Sequence, residues 1–465
     1  LISLASVQAA CGGRWLGAPP ASPRADLAGA STDTRSLAPN EVFFALTGPR
    51  FDGHAFVRVA REKGAAAAVV QRPIDDCPGW PVLLVEDTTR ALGALAHHVR
   101  STVSIPVVGI TGSVGKTTTK EFTAHLLRVR GPVLSTRGNL NNHIGVPLTL
   151  LRLQPDSTAA VVEMGMSAPG EILVLTRITR PDVAVITNVA PVHLEFFESI
   201  ESIAHAKAEI LEGLGPNGLA VLNHDDARVR AIGAEWGGRV LWFGIEEPAG
   251  CDIVASEIRE DWRFSDFVLR LGSEHHAVHL PLPGRHVVAN FLAAAGVAQA
   301  LGIPGTQIAR QATSLQPAAG RGQRRDLGQG VTLVDDSYNA NPLAVEAAVR
   351  VLAVAEGRRR RVAVLGDMLE LGPTSPDIHR DTGRRVAGHV DVLVGVGPLA
   401  AHLLEGAREA GLASAAVHGF DDAETAAREV PELVEPGDVV LVKGSRGVHT
   451  ERVVEALASR LGEVS

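Results

Sequence analysis

The chain has 465 residues, of which 45% are hydrophobic and 21% charged. That is the usage of a folded globular protein and excludes a disordered one. The formal net charge is −8, so the surface as a whole is not built to hold a nucleic-acid backbone and no nucleic-acid partner is expected.

At roughly 100–200 residues per domain, the length predicts about three domains. Short apolar runs alternate with amphipathic stretches almost from end to end, the pattern of an α/β protein. Strands are predicted over 42–46, 66–70 and 82–85, followed by a helix over 88–101. Pro106 opens a new strand over 107–110, which places the first domain boundary near residue 104. Further strands are expected at 159–162, 183–189 and 219–223, with a helix over 200–214. Between 252 and 280 the pattern changes to strict alternation, which predicts a β-meander. A helix starts near Arg285. The apolar stretch 287–303 contains Asn290 and Gln299 and is shorter than the roughly 20 residues a bilayer needs. It reads as a buried alanine-rich helix, and no membrane span is expected. The run 316–330 is rich in Gly, Arg and Gln and reads as a second linker. Strands resume at 331–334, 362–365, 392–394 and 439–442. The expected domains are 1–103, 104–317 and 318–465.

The cysteines are Cys11, Cys77 and Cys251: odd in number, widely spaced, with no CxxC. That argues against a disulfide framework and fits a reducing, cytoplasmic setting. The first residues lack a basic segment followed by a long apolar run, so they do not read as a signal peptide. The chain uses 39 arginines but only 5 lysines: Lys63, Lys116, Lys120, Lys207 and Lys443. Where charge alone suffices this sequence uses Arg, so each lysine is a functional candidate.

The strongest local pattern is Val107-Val108-Gly109-Ile110-Thr111-Gly112-Ser113-Val114-Gly115-Lys116-Thr117-Thr118. An apolar strand runs into a glycine-rich turn and then a helix. Backbone N–H groups of Gly112, Ser113, Val114 and Gly115 can curve around a phosphate at the positive end of that helix. Lys116 can neutralise the β- and γ-phosphates, and Thr117, followed by Thr118, can bring a hydroxyl to Mg²⁺. The turn is shorter than GxxxxGK[ST], with Ile110 where the longer form has glycine. ATP or GTP binding follows, but no particular reaction.

Glu163 and His193 both follow apolar strands, on the edge of a parallel sheet where ligands collect. With Thr117 they could form part of a Mg²⁺ shell; the alternative for His193 is a loop histidine satisfied by backbone. Lys207 falls on the apolar stripe Ile200, Ile203, Ile210, Leu211 and Leu214. Burial would lower its pKa, and a neutral amine can take up CO₂ as a carbamate. The bland alternative packs its stem and leaves its head wet. Asn341 stands before Pro342 at a helix start, an N-cap position.

Further segments carry a family resemblance. They are Ser31-Thr32-Asp33-Thr34-Arg35, Thr47-Gly48-Pro49-Arg50-Phe51-Asp52-Gly53-His54, Gly138-Asn139-Leu140-Asn141-Asn142-His143-Ile144-Gly145-Val146-Pro147, Asp335-Asp336-Ser337-Tyr338-Asn339-Ala340-Asn341-Pro342, Leu365-Gly366-Asp367-Met368-Leu369-Glu370-Leu371-Gly372 and Val442-Lys443-Gly444-Ser445-Arg446. With the phosphate loop they resemble the Mur ligases, and within them the members that add D-alanyl-D-alanine. Folylpolyglutamate synthetases share the short loop and are the neighbouring alternative. A P-loop regulatory NTPase is the alternative from another class, but it would not need two further α/β domains.

The resemblance implies three domains: one for the UDP part of a substrate, a central ATPase with Mg²⁺, and a Rossmann-like C-terminal domain. It implies a monomeric, ATP-dependent ligase of peptidoglycan synthesis acting on UDP-N-acetylmuramoyl-tripeptide and D-alanyl-D-alanine. It places Asp33, Thr34, Arg35, Asp52 and His54 at the UDP group. Asn139, Asn142, Asn341, Lys443 and Arg446 fall among the substrate contacts. Asn290, Arg321 and Asp336 go to the nucleotide. Lys116, His193 and a carbamylated Lys207 become the catalytic group, the last two also as metal ligands.

Overall fold

A computed structural model describes residues 1–16, 22–49, 51–74, 79–191, 195–355 and 360–464. Among the described residues three large sheets follow one another along the chain, beside a two-stranded ribbon of Thr47–Gly48 and Phe51–Asp52. The first has five strands in the spatial order Arg14–Leu16, Val82–Leu84, Ala67–Val70, Glu41–Phe44, Gly29–Ser31, parallel except for the first pair. The helix Thr88–Ser101 closes this unit. Asp87 starts it by accepting hydrogen bonds from the N–H groups of Thr89 and Arg90, at 2.7 and 2.9 Å.

The second sheet has nine strands. Its order is Glu274–Leu280, Ser265–Leu271, Ile253–Glu260, Arg239–Gly244, Leu219–Asn223, Val183–Ile186, Val107–Thr111, Ala159–Glu163, Val133–Ser135. From Ile253–Glu260 to Val133–Ser135 it is parallel, and the other two strands continue it as the antiparallel meander that alternation predicts. Val107–Thr111 is buried along its whole length because helices cover both faces. The chain leaves it to one side for Ala159–Glu163 and returns on the other at Val183–Ile186. This makes the end of Val107–Thr111 a topological switch point.

The third sheet has six strands in the order Gln323–Asp326, Thr332–Asp336, Val439–Lys443, Arg361–Gly366, Val392–Val396, Val417–Phe420, parallel after the first pair. The expected linker 316–330 is therefore shorter than its composition suggests. Gln323–Asp326 is an edge strand whose four polar residues carry no apolar signature. The helix expected over 200–214 is α-helical over Ile200–Ala208 and tightens into a 3₁₀ turn over Glu209–Gly213.

The cores are not distributed evenly. One apolar cluster runs without interruption from the first unit (Val42, Phe44, Leu83, Leu95) into the second (Ile172, Leu175, Ile186, Ile203). The opposite face of the central sheet has its own cluster, formed with the helix Arg285–Ala300. The third sheet keeps two clusters made of its own residues. Among the described residues no helix is long and apolar enough to cross a membrane.

Candidate active site

The glycine-rich turn sits between the end of Val107–Thr111 and the helix Lys116–Leu127. Gly112 and Gly115 have φ of +146° and +85°. A Cβ on the first would collide with Thr187 Oγ1, and one on the second with Asn290 Oδ1. Glycine is thus required by both conformation and space. The turn is braced from the neighbouring strand end. Thr187 Oγ1 donates to the Val114 carbonyl at 2.6 Å, and the Val114 N–H donates to Asn188 Oδ1 at 2.9 Å. Ser113 Oγ donates to the Ala190 carbonyl at 3.1 Å and accepts from the Ala190 N–H at 2.8 Å.

Lys116 folds back over this turn, its Nζ donating to the carbonyls of Gly112 and Ser113 at 2.7 and 3.2 Å. The surrounding protein pulls its pKa down, the Glu163 carboxylate pulls it up, and the Arg321 guanidinium adds to the downward pull. Thr117 Oγ1 donates to Glu163 Oε2 at 2.9 Å, so hydroxyl and carboxylate meet beside the turn. Glu163 is 3% exposed, and its other oxygen accepts from Asn141 Nδ2 at 2.9 Å. Among the described residues no group of three His, Cys, Asp or Glu gathers to hold a metal. Mg²⁺ does not need one, since it is commonly held by one or two carboxylates with phosphate oxygens and water. The hard oxygen pair Thr117–Glu163 fits it. His193, the third expected ligand, lies outside the described residues.

Lys207 is 2% exposed, on the buried face with Ile203, Ala206 and Ile210. Its head is not wet, so the snorkelling alternative fails. Burial holds its pKa well below the ordinary lysine value, and the nearby positive charge of Lys116 pushes the same way. The two lysines therefore belong to one electrostatic neighbourhood.

The C-terminal sheet brings a second set of charges to this place. Asp336 and Lys443 end adjacent strands in register and pair at 2.6 Å. Lys443 also donates to the Asn339 carbonyl at 2.9 Å and is 2% exposed. Arg321 stacks 4.2 Å from the centre of the Tyr338 ring, and its buried Nε has no hydrogen-bond partner among the described residues. Arg446 lies over the same ring at 5.8 Å. The fields of Asp336 and Lys443 reach His286 on the central domain, and that of Arg321 reaches both Lys116 and Lys443. The loop of one sheet and the charged group of the other thus lie within electrostatic reach of each other.

Other expected residues are placed as follows. Asn290 accepts from Thr119 Oγ1 at 3.3 Å and backs the turn at Gly115. Asn341 caps the helix Pro342–Ala353, accepting from the Ala344 N–H at 2.9 Å. Asn142 accepts from the N–H groups of Ile144 and Gly145, at 3.1 and 2.9 Å, while Asn139 is exposed. In the N-terminal domain, Asp33 binds the exposed Arg35 through two oxygens, and the Thr34 carbonyl accepts from Lys63 Nζ at 2.7 Å. His54 is buried. Its Nε2 accepts from the Gln71 N–H at 3.0 Å, so the proton is on Nδ1, 2.6 Å from Asp52 Oδ1. The His54 backbone N–H, at 3.0 Å, with the His54 ring and Arg72, holds the Asp52 carboxyl well below the usual carboxylate range.

Sequence reasoning missed Thr136, Asn141, Thr187 and Asn188. They hold the expected residues in place, and small polar loop residues give no period to detect. Asn141 could have been found, since it stands within the quoted Asn139–Asn142 segment.

A loop shaped for a polyphosphate, facing cations carried by a separate α/β body, suits an enzyme that must deliver a terminal phosphate to a second substrate. The class is that of multidomain P-loop ligases. The comparisons narrow it. Residues 26–100 match the model of the Mur ligase family catalytic domain, 110–298 the Mur ligase middle domain, and 320–446 the Mur ligase glutamate ligase domain. The chain belongs to the Mur ligase family.

The UDP-N-acetylmuramoyl-tripeptide–D-alanyl-D-alanine ligase of Escherichia coli K12 is 40% identical over 92% of this chain and 93% of its own length. The enzyme of that name from Bacillus subtilis is 34% identical over 92% and 93%. A crystal structure of MurF from Acinetobacter baumannii superposes with a TM-score of 0.88, at 34% identity and 98% coverage of both chains. MurF from Thermotoga maritima, in complex with ADP, superposes at 0.80, with 32% identity and coverage of 92% and 96%. The protein is an ATP-dependent, peptide-bond-forming ligase of peptidoglycan precursor synthesis.

Proposed function

We propose that this ligase joins D-alanyl-D-alanine to UDP-N-acetylmuramoyl-tripeptide through an acyl phosphate. The observation that carries the reading is the two-sided site, with Lys116 and the glycine turn on one side and Arg321, Asp336 and Lys443 within electrostatic reach on the other. The relatives that bear this activity in their names match along more than nine-tenths of their length. The N-terminal sheet is assigned to the UDP group, the central sheet to ATP, and the C-terminal sheet to closing the site.

A carboxylate resists attack by an amine because oxide would have to leave. Its oxygen instead attacks the γ-phosphorus of ATP, breaking the bond to ADP. The incoming amine then attacks the acyl carbon, inorganic phosphate leaves, and the nitrogen loses its proton. Bound Mg²⁺ would neutralise phosphate charge, held by Thr117 and Glu163. Lys116 exchanges its two backbone carbonyls for phosphate oxygens. Arg321, whose buried Nε has no partner among the described residues, is assigned to the γ-phosphate. Asp336 is assigned to the ribose. These are positioning and electrostatic effects, stronger in a closed cleft than in water. Lys207, buried and with its pKa pushed down by that burial, is assigned a carbamate that replaces the cation with a carboxylate-like anion.

The test is phosphate release with both substrates. Release from ATP should require UDP-N-acetylmuramoyl-tripeptide and D-alanyl-D-alanine together, and single D-amino acids should not replace the dipeptide. Equal release with no amine present would sink the ligase reading in favour of a bare NTPase.

A further inference from the structure

Of the five lysines, Lys120 has no part in the chemistry above, yet it is the most deeply buried near the site, with 1% of its side chain exposed. It lies on the helix Lys116–Leu127, one turn beyond Thr117 and on the same side. Its Nζ donates to the Thr136 carbonyl at 2.7 Å and to Glu121 Oε1 at 2.5 Å. A buried ion pair is a poor source of stability, and an apolar side chain of similar volume often does as well. What an ammonium adds is a directed bond, and here the bond goes to Thr136.

Thr136 leads to Glu163 by two routes. Its own hydroxyl accepts the Glu163 N–H at 3.0 Å, fixing the backbone that carries the carboxylate. It also begins the loop that ends at Asn141, whose side-chain amide donates to Glu163 Oε1 at 2.9 Å. That loop is tied down at its far end, where the Asn141 carbonyl accepts the Gly165 N–H at 2.8 Å. Lys120 therefore grips the near end of the loop that orients both the backbone and the side chain of Glu163, while Thr117 takes the opposite oxygen.

We propose that Lys120 is a positioning residue for the metal-binding carboxylate, acting through Thr136 to set where Glu163 presents its oxygens. This rests on the reading of Thr117 and Glu163 as Mg²⁺ ligands. Lys120 touches neither metal nor nucleotide itself. Its effect should appear in metal affinity and leave metal-free nucleotide binding unaltered. Outer groups that orient a ligand typically carry a 10- to 100-fold share of metal affinity.

The probe is Mn²⁺, followed by electron paramagnetic resonance with a non-hydrolysable ATP analogue present. Lys120→Met should weaken Mn²⁺ binding by about tenfold, with metal-free analogue affinity within twofold of wild type. In a Glu163→Gln background, Lys120→Met should cost nothing further, because the lysine acts only through that carboxylate. Thr136→Val, which removes the hydroxyl and keeps the shape, should reproduce the loss and decides the matter if Lys120→Met fails to fold. Mn²⁺ affinity unchanged in whichever of these two variants folds would overturn the proposal. So would an equal loss from Lys120→Met with and without Glu163. If Glu163→Gln alone binds Mn²⁺ like wild type, the metal site itself is misassigned, an outcome distinct from failure of Lys120.

Discussion

A buried lysine without a carboxylate partner among the described residues is an expensive choice for the chain, and the proposed carbamate gives a reason for keeping Lys207. Arginine could not replace it, since a guanidinium stays protonated and does not take up CO₂. Lys207→Ala should lose most activity, and added formate or acetate should restore part of it by supplying the missing carboxylate. Lys207→Arg should be inactive and not rescued, as measured by phosphate release with and without formate. A fully active Lys207→Arg would remove the carbamate. Stability gives an independent readout. The folded-state pKa lies below the unfolded value of about 10.4. Between those two values the unfolded chain binds a proton that the folded one lacks, so stability rises with pH across that window. Lys207→Met removes the penalty. In CO₂-free buffer its urea midpoint should exceed that of wild type at pH 7, and the gap should narrow towards pH 10. Parallel midpoints across that range would show that burial of the ammonium is not penalised.

Helix starts show how one residue can serve two readings. Asn341 is expected both as an N-cap and among the substrate contacts, and the structure shows it capping Pro342–Ala353. Loss of a cap typically costs about 1 kcal/mol. Asn341→Ala should lower stability by about that much, while Asn341→Asp should keep both cap and stability in chemical denaturation. If Asn341→Asp folds normally but loses turnover, the amide has a second task at the substrate.

Elements were legible where burial forces a pattern. The strands beginning at Val107, Leu219 and Val439 carry no polar side chain before their last residue, and the meander after Asp252 alternates. They were missed where it does not, as at the polar edge strand Gln323–Asp326 and the three-residue strands Arg14–Leu16 and Val133–Ser135. In the site, the phosphate loop was legible because its geometry demands particular residues. The braces at Asn188 and Thr187 were not, because any short polar side chain in a loop looks the same in sequence.

At the scale of the whole molecule, the first two units share one apolar cluster while the third packs on itself. Separating the first two would expose core; moving the third would not. The C-terminal body is therefore the one expected to move, and on the proposed reading the nucleotide contacts are split across its boundary. An engineered cross-link that holds it away from the central sheet should abolish turnover. Titration calorimetry should still find the UDP substrate bound with near wild-type affinity. Full activity in the locked state would rule out the two-sided cleft. At its edge, Trp262 of the central meander packs under Arg324 of the C-terminal edge strand, 4.8 Å from the ring centre. This is the kind of modest contact a moving boundary can make and break.

Because Gln323 is already paired into the third sheet, the flexible connection narrows to the few residues before it, and Arg321 is one of them. The Tyr338 N–H donates to the Gly320 carbonyl at 3.1 Å, so this short joint is fastened to the ring on which Arg321 stacks. On the proposed reading Arg321 holds nucleotide, and a joint that carries such a contact cannot swing without altering it. Thermodynamic reciprocity then applies: whatever bias bound nucleotide imposes on the angle between the bodies, the angle imposes equally on nucleotide affinity. Occupancy of the far side of the cleft, by closing the same joint, becomes a term in the ATP dissociation constant without touching ATP.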